Sequence, residues 1–474
     1  MNPYATAREM LADLAAKRVS ARELLDAHVA HNEKIGKPLN AVIAMDLERA
    51  SRDAAKIDDA RAKGAALGAL AGLPMTIKDV FDVDGMPAVV GHPALQGRPK
   101  HVREADVVAA ARGAGAVIWG KTNVPLMAGD MQTFNSVYGT TNNPYDLART
   151  PGGSSGGAAV ALSTGITPLE IGSDIGGSLR HPANFCGVCS LKPTWGALSQ
   201  RGHVPPLPES FFDVDLNVVG PMARNNEDLK LLWSVLKGSK PAPRKDIKGA
   251  RIALWVEDPN VPVSRDVKAL IEKAGNALSD AGAIVERAKP FEIMQLMPHY
   301  MMLLASIIAS GFPDEIYNYF ASTHAADMKV LQEGSNLFGI EAYRAASTAS
   351  FREIAGAYAA RQKFKDMLAE FFGKWDAILM PLGPVPAFPH QQEALMTERI
   401  IDVDGSDWNY LNLLDWISVA TALHAPAIAV RAGRTPAGLP VGAQIIGSWN
   451  GEDRLFDYAA AIEERLGGFA PPAL

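Results

Sequence analysis

The chain has 474 residues, of which 48% are hydrophobic and 21% charged, and its formal net charge is −6. That apolar content supports a large buried core and excludes wholesale disorder, while the near-neutral balance excludes a basic nucleic-acid surface and an acidic tail. Two cysteines, Cys186 and Cys189, are too few for a disulfide framework.

In chain order, the first residues mix Arg, Glu, Asp and Lys among apolar ones, which does not read as a secretory leader. The first 60 or so residues read as helices: Leu11, Leu14 and Ala15, then Leu24, Leu25, His28 and Val29, fall at helical spacing, with Ser20 as N-cap. A strand is expected at Leu73 to Ile77, a helix at Glu104 to Gly113 and a strand at Ala116 to Trp119. The stretch from Val137 to Gly157, rich in Gly, Thr, Asn and Ser, reads as loop and leads into a small-residue helix, Gly156 to Thr164. A strand at Ile166 to Ile171 follows. Lys237 to Lys248 reads as an exposed connection, followed by a strand (Arg251 to Val256), a helix (Val267 to Leu278) and a strand (Ala283 to Val285). Residues 290–375 read as helical; the run from Met301 to Ala309 is too short to span a bilayer. Late strands are expected at Ala377 to Met380, Ala427 to Val430 and Val441 to Ile446. Strands alternating with helices favour an α/β sheet covered on both faces, and no linker divides the chain. A soluble, cytoplasmic protein is the expectation.

Two local patterns invite a function and are better read as structure, and a third, the most informative, fits one hydrolase motif poorly. Gly115 to Thr122 matches a phosphate-binding loop, yet its middle residues, Ala116 to Trp119, read as a buried strand rather than a loop. Cys186 and Cys189 form a single C-x-x-C with only His181 nearby, short of the four ligands of a zinc site, so no metal is expected. The run Gly152 to Gly157 fits G-x-S-x-G on Ser154 or Ser155, but no strand precedes it as a nucleophile elbow requires. A Ser-His-Asp esterase using His424, His390 or His324 as base stays open as an alternative.

Two further elements carry chemistry when taken together with that run. Ser173 to Arg180 (SDIGGSLR) follows a strand; its glycines allow a sharp turn whose backbone N–H groups form an anion nest beside the Ser178 hydroxyl. Lys78 ends an apolar strand, and burial there would lower its pKa and make the neutral amine a base.

With these elements the chain resembles the amidase signature family of serine hydrolases, from about Leu39 to Gly447. Gly72, Pro74, Lys78 and Asp79 match the family's lysine element, Gly152 to Gly157 its Gly-Gly-Ser-Ser-Gly-Gly element, and Asp174, Gly176, Gly177, Ser178 and Arg180 its Asp-x-Gly-Gly-Ser-x-Arg element. The two serines, 154 and 178, stand in the family's spacing. Cys189 and Ser190 depart from the small pair often found before Lys192-Pro193-Thr194, and Ala197 stands where an Arg is frequent.

The resemblance implies a large mixed twisted β-sheet core with helices on both faces, as a single domain over 1–474. The N-terminal helical region, residues 1–66, would pack on it, and 290–345 would form a variable helical region near the substrate pocket. It implies Ser178 as nucleophile, Ser154 as bridging serine after a cis bond from Gly153, and Lys78 as general base. The N–H groups of Ile175, Gly176, Gly177 and Ser178 would form an oxyanion hole. Asp174 and Arg180 would brace the loop, and Ser155 would orient Lys78. No cofactor is implied. Pocket walls are expected from Met127 to Phe134, with Met127, Gly129 and Met131 as candidates. The 290–345 region would add others through Met294, Met297, Met301, Met302, Phe312 or Phe338, although methionines at helical spacing are more often core.

The activity implied is amide hydrolysis through an acyl-enzyme, with aryl acylamides, carbamates (urethanes) or esters as related substrates. The partner expected is a small-molecule amide or carbamate, with neither nucleic acid nor membrane, and a homodimer is compatible. The alternative within the family is an amidotransferase A-type subunit that releases ammonia from glutamine; segment 290–345 does not resemble the region by which such subunits hold glutamine.

Overall fold

A computed structural model describes residues 2–205, 212–332 and 336–473. Residues 333–335 of the expected variable helical region lie outside the described residues. The centre is an eight-stranded mixed sheet. Its strands run, edge to edge, Ile284–Arg287, Arg251–Leu254, Ala377–Pro381, Pro440–Ile446, Ala427–Arg434, Cys189–Lys192, Val218–Ala223 and Leu169–Asp174. The first three are mutually parallel, and every later neighbour is antiparallel.

Side-chain alternation shows that both faces are covered. Along Ala377–Pro381, Ala377 and Leu379 join one apolar cluster while Ile378 and Met380 join another. The helices Arg265–Asp280 and Glu452–Leu466 supply the first cluster; Ile293–Ala309 and Leu414–Ala422 supply the second.

A smaller sheet, Val42–Met45, Val117–Thr122 and Pro74–Lys78, stands beside the last edge of the large one. The seam is polar and buried: the Thr76 amide donates to Thr167 Oγ1 at 3.2 Å, and Thr76 Oγ1 donates to Glu170 Oε1 at 2.6 Å. This seam brings the end of Pro74–Lys78 alongside Leu169–Asp174 and so sets the spacing of the site.

The N-terminal helices are Ala7–Ala15, Ala21–Leu39 and Leu47–Ala62, and Ser20 caps the second in a capping box with Glu23. Val42–Met45 interrupts the expected helical run with a short strand that the isolated pattern does not distinguish. The expected 166–171 strand lies three residues later, at Leu169–Asp174, and this shift places Asp174 at the strand end. Val218–Ala223 and Cys189–Lys192 are additional strands. Gly220 and Pro221 mask the first, which is tolerated because Cys189–Lys192 pairs only with its Met222 and Ala223. The described residues of 290–375 contain four helices, Ile293–Ala309, Asp314–Gln332, Ile340–Ser347 and Phe351–Phe372.

Candidate active site

Two loops and one strand end meet at the seam. Lys78 is the last residue of its strand and is fully buried. Ser154 lies in the loop before the helix Gly156–Ser163, and the Gly153–Ser154 peptide bond is cis. Gly153 is required by close approach: a Cβ there would sit 2.5 Å from the carbonyl oxygens of Asp130 and Gln132. Ser178 occupies the turn between Leu169–Asp174 and the helix Arg180–Cys186. Gly177 in that turn has φ +88°, and the His181 ring fills the place of a side chain.

Asp174 ties this turn together. Its carboxylate accepts from the Gly177 and Leu179 amides at 2.9 and 3.0 Å and from Arg180 Nε and Nη2 at 3.0 and 2.9 Å. Arg180 also reaches the Ile417 carbonyl and Gln444 Oε1 on the central layers. Burial alone would raise the Asp174 pKa, but the Arg180 charge and these hydrogen bonds outweigh it and hold the carboxyl well below the usual range.

Lys78 Nζ lies 2.7 Å from Ser154 Oγ, 3.0 Å from Ser173 Oγ and 3.3 Å from the Ser173 carbonyl. Burial lowers its pKa to about 7 against the opposing pull of Asp174 and Glu170. Burial also pushes Glu170 well up, against the hydrogen bond it accepts from Thr76. The Ser178 backbone is tied to the second loop, the Ser155 amide donating to its carbonyl at 3.2 Å. The Ser178 hydroxyl makes no side-chain hydrogen bond among the described residues and faces a cavity. In this geometry one step of the expected relay, Lys78 to Ser154, is a hydrogen bond; the step from Ser154 to Ser178 is not.

Two supporting expectations are corrected. Ser155 does not orient Lys78: its hydroxyl is buried without a hydrogen-bond partner, and Ser173 holds the amine instead. The Gly177 N–H points to Asp174 and so is not free for an oxyanion, whereas the N–H groups of Ile175, Gly176 and Ser178 meet no acceptor among the described residues. The turn is further pinned by the Tyr300 hydroxyl, which donates to the Ile175 carbonyl at 3.0 Å.

The cavity above Ser178 has a volume of about 470 Å³. Gly129 and Met131 line it, as do Met301, Leu304, Ile308, Leu411 and Leu414. Met127 does not: with φ +50° its side chain turns away and packs against the first apolar cluster. Of the six candidates from 290–345, only Met301 reaches the cavity. The charged groups on the wall are paired, Asp130 with Arg399 and Tyr410, both at 2.6 Å, and Arg344 with Asp327 at 2.7 Å.

The other motifs resolve as structure. Lys121 of the phosphate-loop match lies inside the strand Val117–Thr122, paired with Asp79 at 2.9 Å. Cys186 and Cys189 are buried and free. His424 pairs with Asp215 at 2.6 Å, His324 meets Thr348 and His390 meets Gln392; none hydrogen-bonds a motif serine. No cluster of three metal-ligating side chains occurs among the described residues, and none of their helices is long and apolar enough to cross a membrane. Sequence reasoning did not single out Ser173, Thr76, Glu170, His203 or Tyr300. The clue available was the polar residues at 170 and 173 within an apolar strand.

Comparison with known proteins gives a consistent picture. The Amidase family model matches residues 23–456. The A-type subunit of glutamyl-tRNA(Gln) amidotransferase from Acidothermus cellulolyticus is 34% identical over 498 residues, covering 97% of this chain and 94% of that protein. Among solved structures, a peptide amidase superposes with a TM-score of 0.78 at 25% identity and full coverage of both chains. A bacterial aryl acylamidase superposes with a TM-score of 0.80 at 24% identity, covering 97% of this chain and 96% of that one, a likeness of fold.

Proposed function

The chain belongs to the Amidase family, whose members act on amide C–N bonds, and from that membership we propose that it is a stand-alone hydrolase of apolar amides. Neutral Lys78 takes the Ser154 proton while Ser154 takes that of Ser178, whose oxygen attacks the carbonyl carbon. This requires the unbonded Ser178 hydroxyl to turn toward Ser154. Free N–H groups of the 175–178 turn receive the oxyanion. The proton returns to the departing amine, and water, activated along the same path, cleaves the acyl-enzyme on Ser178.

The observation that carries this reading is a fully buried amine, 2.7 Å from the Ser154 hydroxyl, together with a cavity that Ser178 lines. The cavity supports the substrate class: its wall is largely apolar and its charges are already paired, which suits an apolar or aryl acyl group better than a zwitterion. Carbamates and esters of the same shape belong to the same acyl-transfer chemistry. A second reading, an amidotransferase component releasing ammonia from glutamine, is favoured by the identity to the glutamyl-tRNA(Gln) amidotransferase chain over nearly the whole length.

Purified protein should be screened against aryl amides, carbamates, esters and glutamine, with a fluorophosphonate as covalent probe. Turnover of apolar amides with probe attached to Ser178 is expected. Labelling elsewhere, or unimpaired turnover by Ser178→Ala, would overturn the assignment.

A further inference from the structure

His203 stands behind Lys78 at the end of a chain of hydrogen bonds. Its Nδ1 lies 2.7 Å from the Pro205 carbonyl and its Nε2 lies 2.9 Å from Ser173 Oγ, which in turn lies 3.0 Å from Lys78 Nζ. The directions follow from what each group can give. A carbonyl only accepts, so Nδ1 carries the imidazole proton. Burial lowers the His203 pKa to about 4, so near neutral pH Nε2 is bare and accepts from the Ser173 hydroxyl. The Ser173 oxygen then turns its lone pairs toward Lys78. A neutral lysine has two N–H bonds and one lone pair. With the N–H bonds directed to Ser173 Oγ and the Ser173 carbonyl, the lone pair is left facing Ser154.

We propose that His203, acting through Ser173, is a positioning residue that aims the Lys78 lone pair at the Ser154 hydroxyl. The inference rests on the relay reading and deepens it. It also accounts for the protonated state: after proton transfer the new N–H of Lys78 points to Ser154 Oγ while the other two keep their acceptors, so the amine itself need not rotate. Without His203 the Ser173 hydroxyl can turn and donate to Lys78, occupying the lone pair that should receive the Ser154 proton.

Among the described residues, the charged or titratable groups facing Lys78 are Glu170 and Asp174 on the neighbouring strand and His203 on its loop. The test compares His203→Leu, His203→Gln, Ser173→Ala and the double variant His203→Leu/Ser173→Ala, reading kcat, KM and the acid limb of the pH profile of kcat/KM. For His203→Leu, kcat is expected to fall about five- to tenfold with KM unchanged. The acid limb should move to lower pH, because a hydroxyl donating to the amine favours its neutral form. His203→Gln, which restores an acceptor, should recover most of the rate. The double variant should be no slower than the slower single one. Multiplying losses, or an unmoved acid limb in His203→Leu and Ser173→Ala, would overturn the proposal while Lys78→Ala and Ser178→Ala remained inactive. Wild-type rates in those last two would instead overturn the relay itself. If His203→Leu does not fold, the other two single variants decide. His203→Gln should keep the acid limb near its wild-type position, while Ser173→Ala, which takes an acceptor from the protonated amine, should move it to lower pH. A shifted limb in the first or an unmoved limb in the second would overturn the proposal.

Discussion

Lys78 shows how one side chain acquires its chemistry. An exposed lysine is fully protonated at neutral pH; this one is enclosed at the end of a buried strand, and desolvation brings its pKa to about 7. Its working form in the proposed relay is the free base, so kcat/KM should rise with pH through about 7 on a single-proton curve and level off above it. A flat profile from pH 6 to 9 would remove Lys78 from the role of base. Lys78→Ala should lose activity by a factor of about 100 or more, the usual scale of general-base catalysis. Ser154→Ala should be strongly impaired yet keep a native circular-dichroism spectrum, and a wild-type rate would remove its bridging role. Asp174 is the opposite case, since its neighbours stabilise the charged form. Arg180→Met leaves a buried carboxylate without its cation, at a cost of about 3–5 kcal/mol measurable by denaturant unfolding. The sign is fixed by the depressed pKa: the stabilisation is present above the unfolded carboxylate pKa and is lost as pH falls toward the folded one.

At the scale of elements, function depends on where strands stop. Pro74–Lys78 and Leu169–Asp174 end at the same level of the seam, so a lysine, an aspartate and the 175–178 turn face one another without long loops. The helix Ile293–Ala309 divides its labour: Met297 and Tyr300 are buried in the second apolar cluster, while Met301, Leu304 and Ile308 reach the cavity. A carboxylate placed on the cavity side would find no free cation among the wall residues. Leu304→Glu is therefore expected to raise KM for a bulky aryl amide about tenfold or more, with a much smaller change for a short aliphatic amide. Equal losses on both substrates would show that the wall does not select them.

At the scale of the whole molecule, the question is whether the chain works alone. The stand-alone reading predicts that a preparation containing only this chain, sized by gel filtration, hydrolyses apolar amides at full rate and glutamine poorly. Glutaminase activity that appears only on adding a partner chain would favour the amidotransferase reading. The residues of the proposed relay can be picked out without coordinates. Lys78, Ser154 and Ser178 sit in three short motifs of definite order and spacing, and the glycines around them mark sharp turns because only glycine fits there. Most strands and helices were legible too, since their apolar periodicity is local. Packing between distant segments decided the rest. The strand Val218–Ala223 is hidden by its own Gly and Pro and forms because two neighbours pair with it. Met127 turns away from the cavity that Gly129 and Met131 line, because backbone twist rather than residue type aims it. Ser173 and not Ser155 holds Lys78, because the packing of the two sheets at the seam sets which hydroxyl comes within 3.0 Å of the amine. Periodicity and motif are written along the chain, whereas a hydrogen bond between residues nearly a hundred positions apart exists only once the sheets have met.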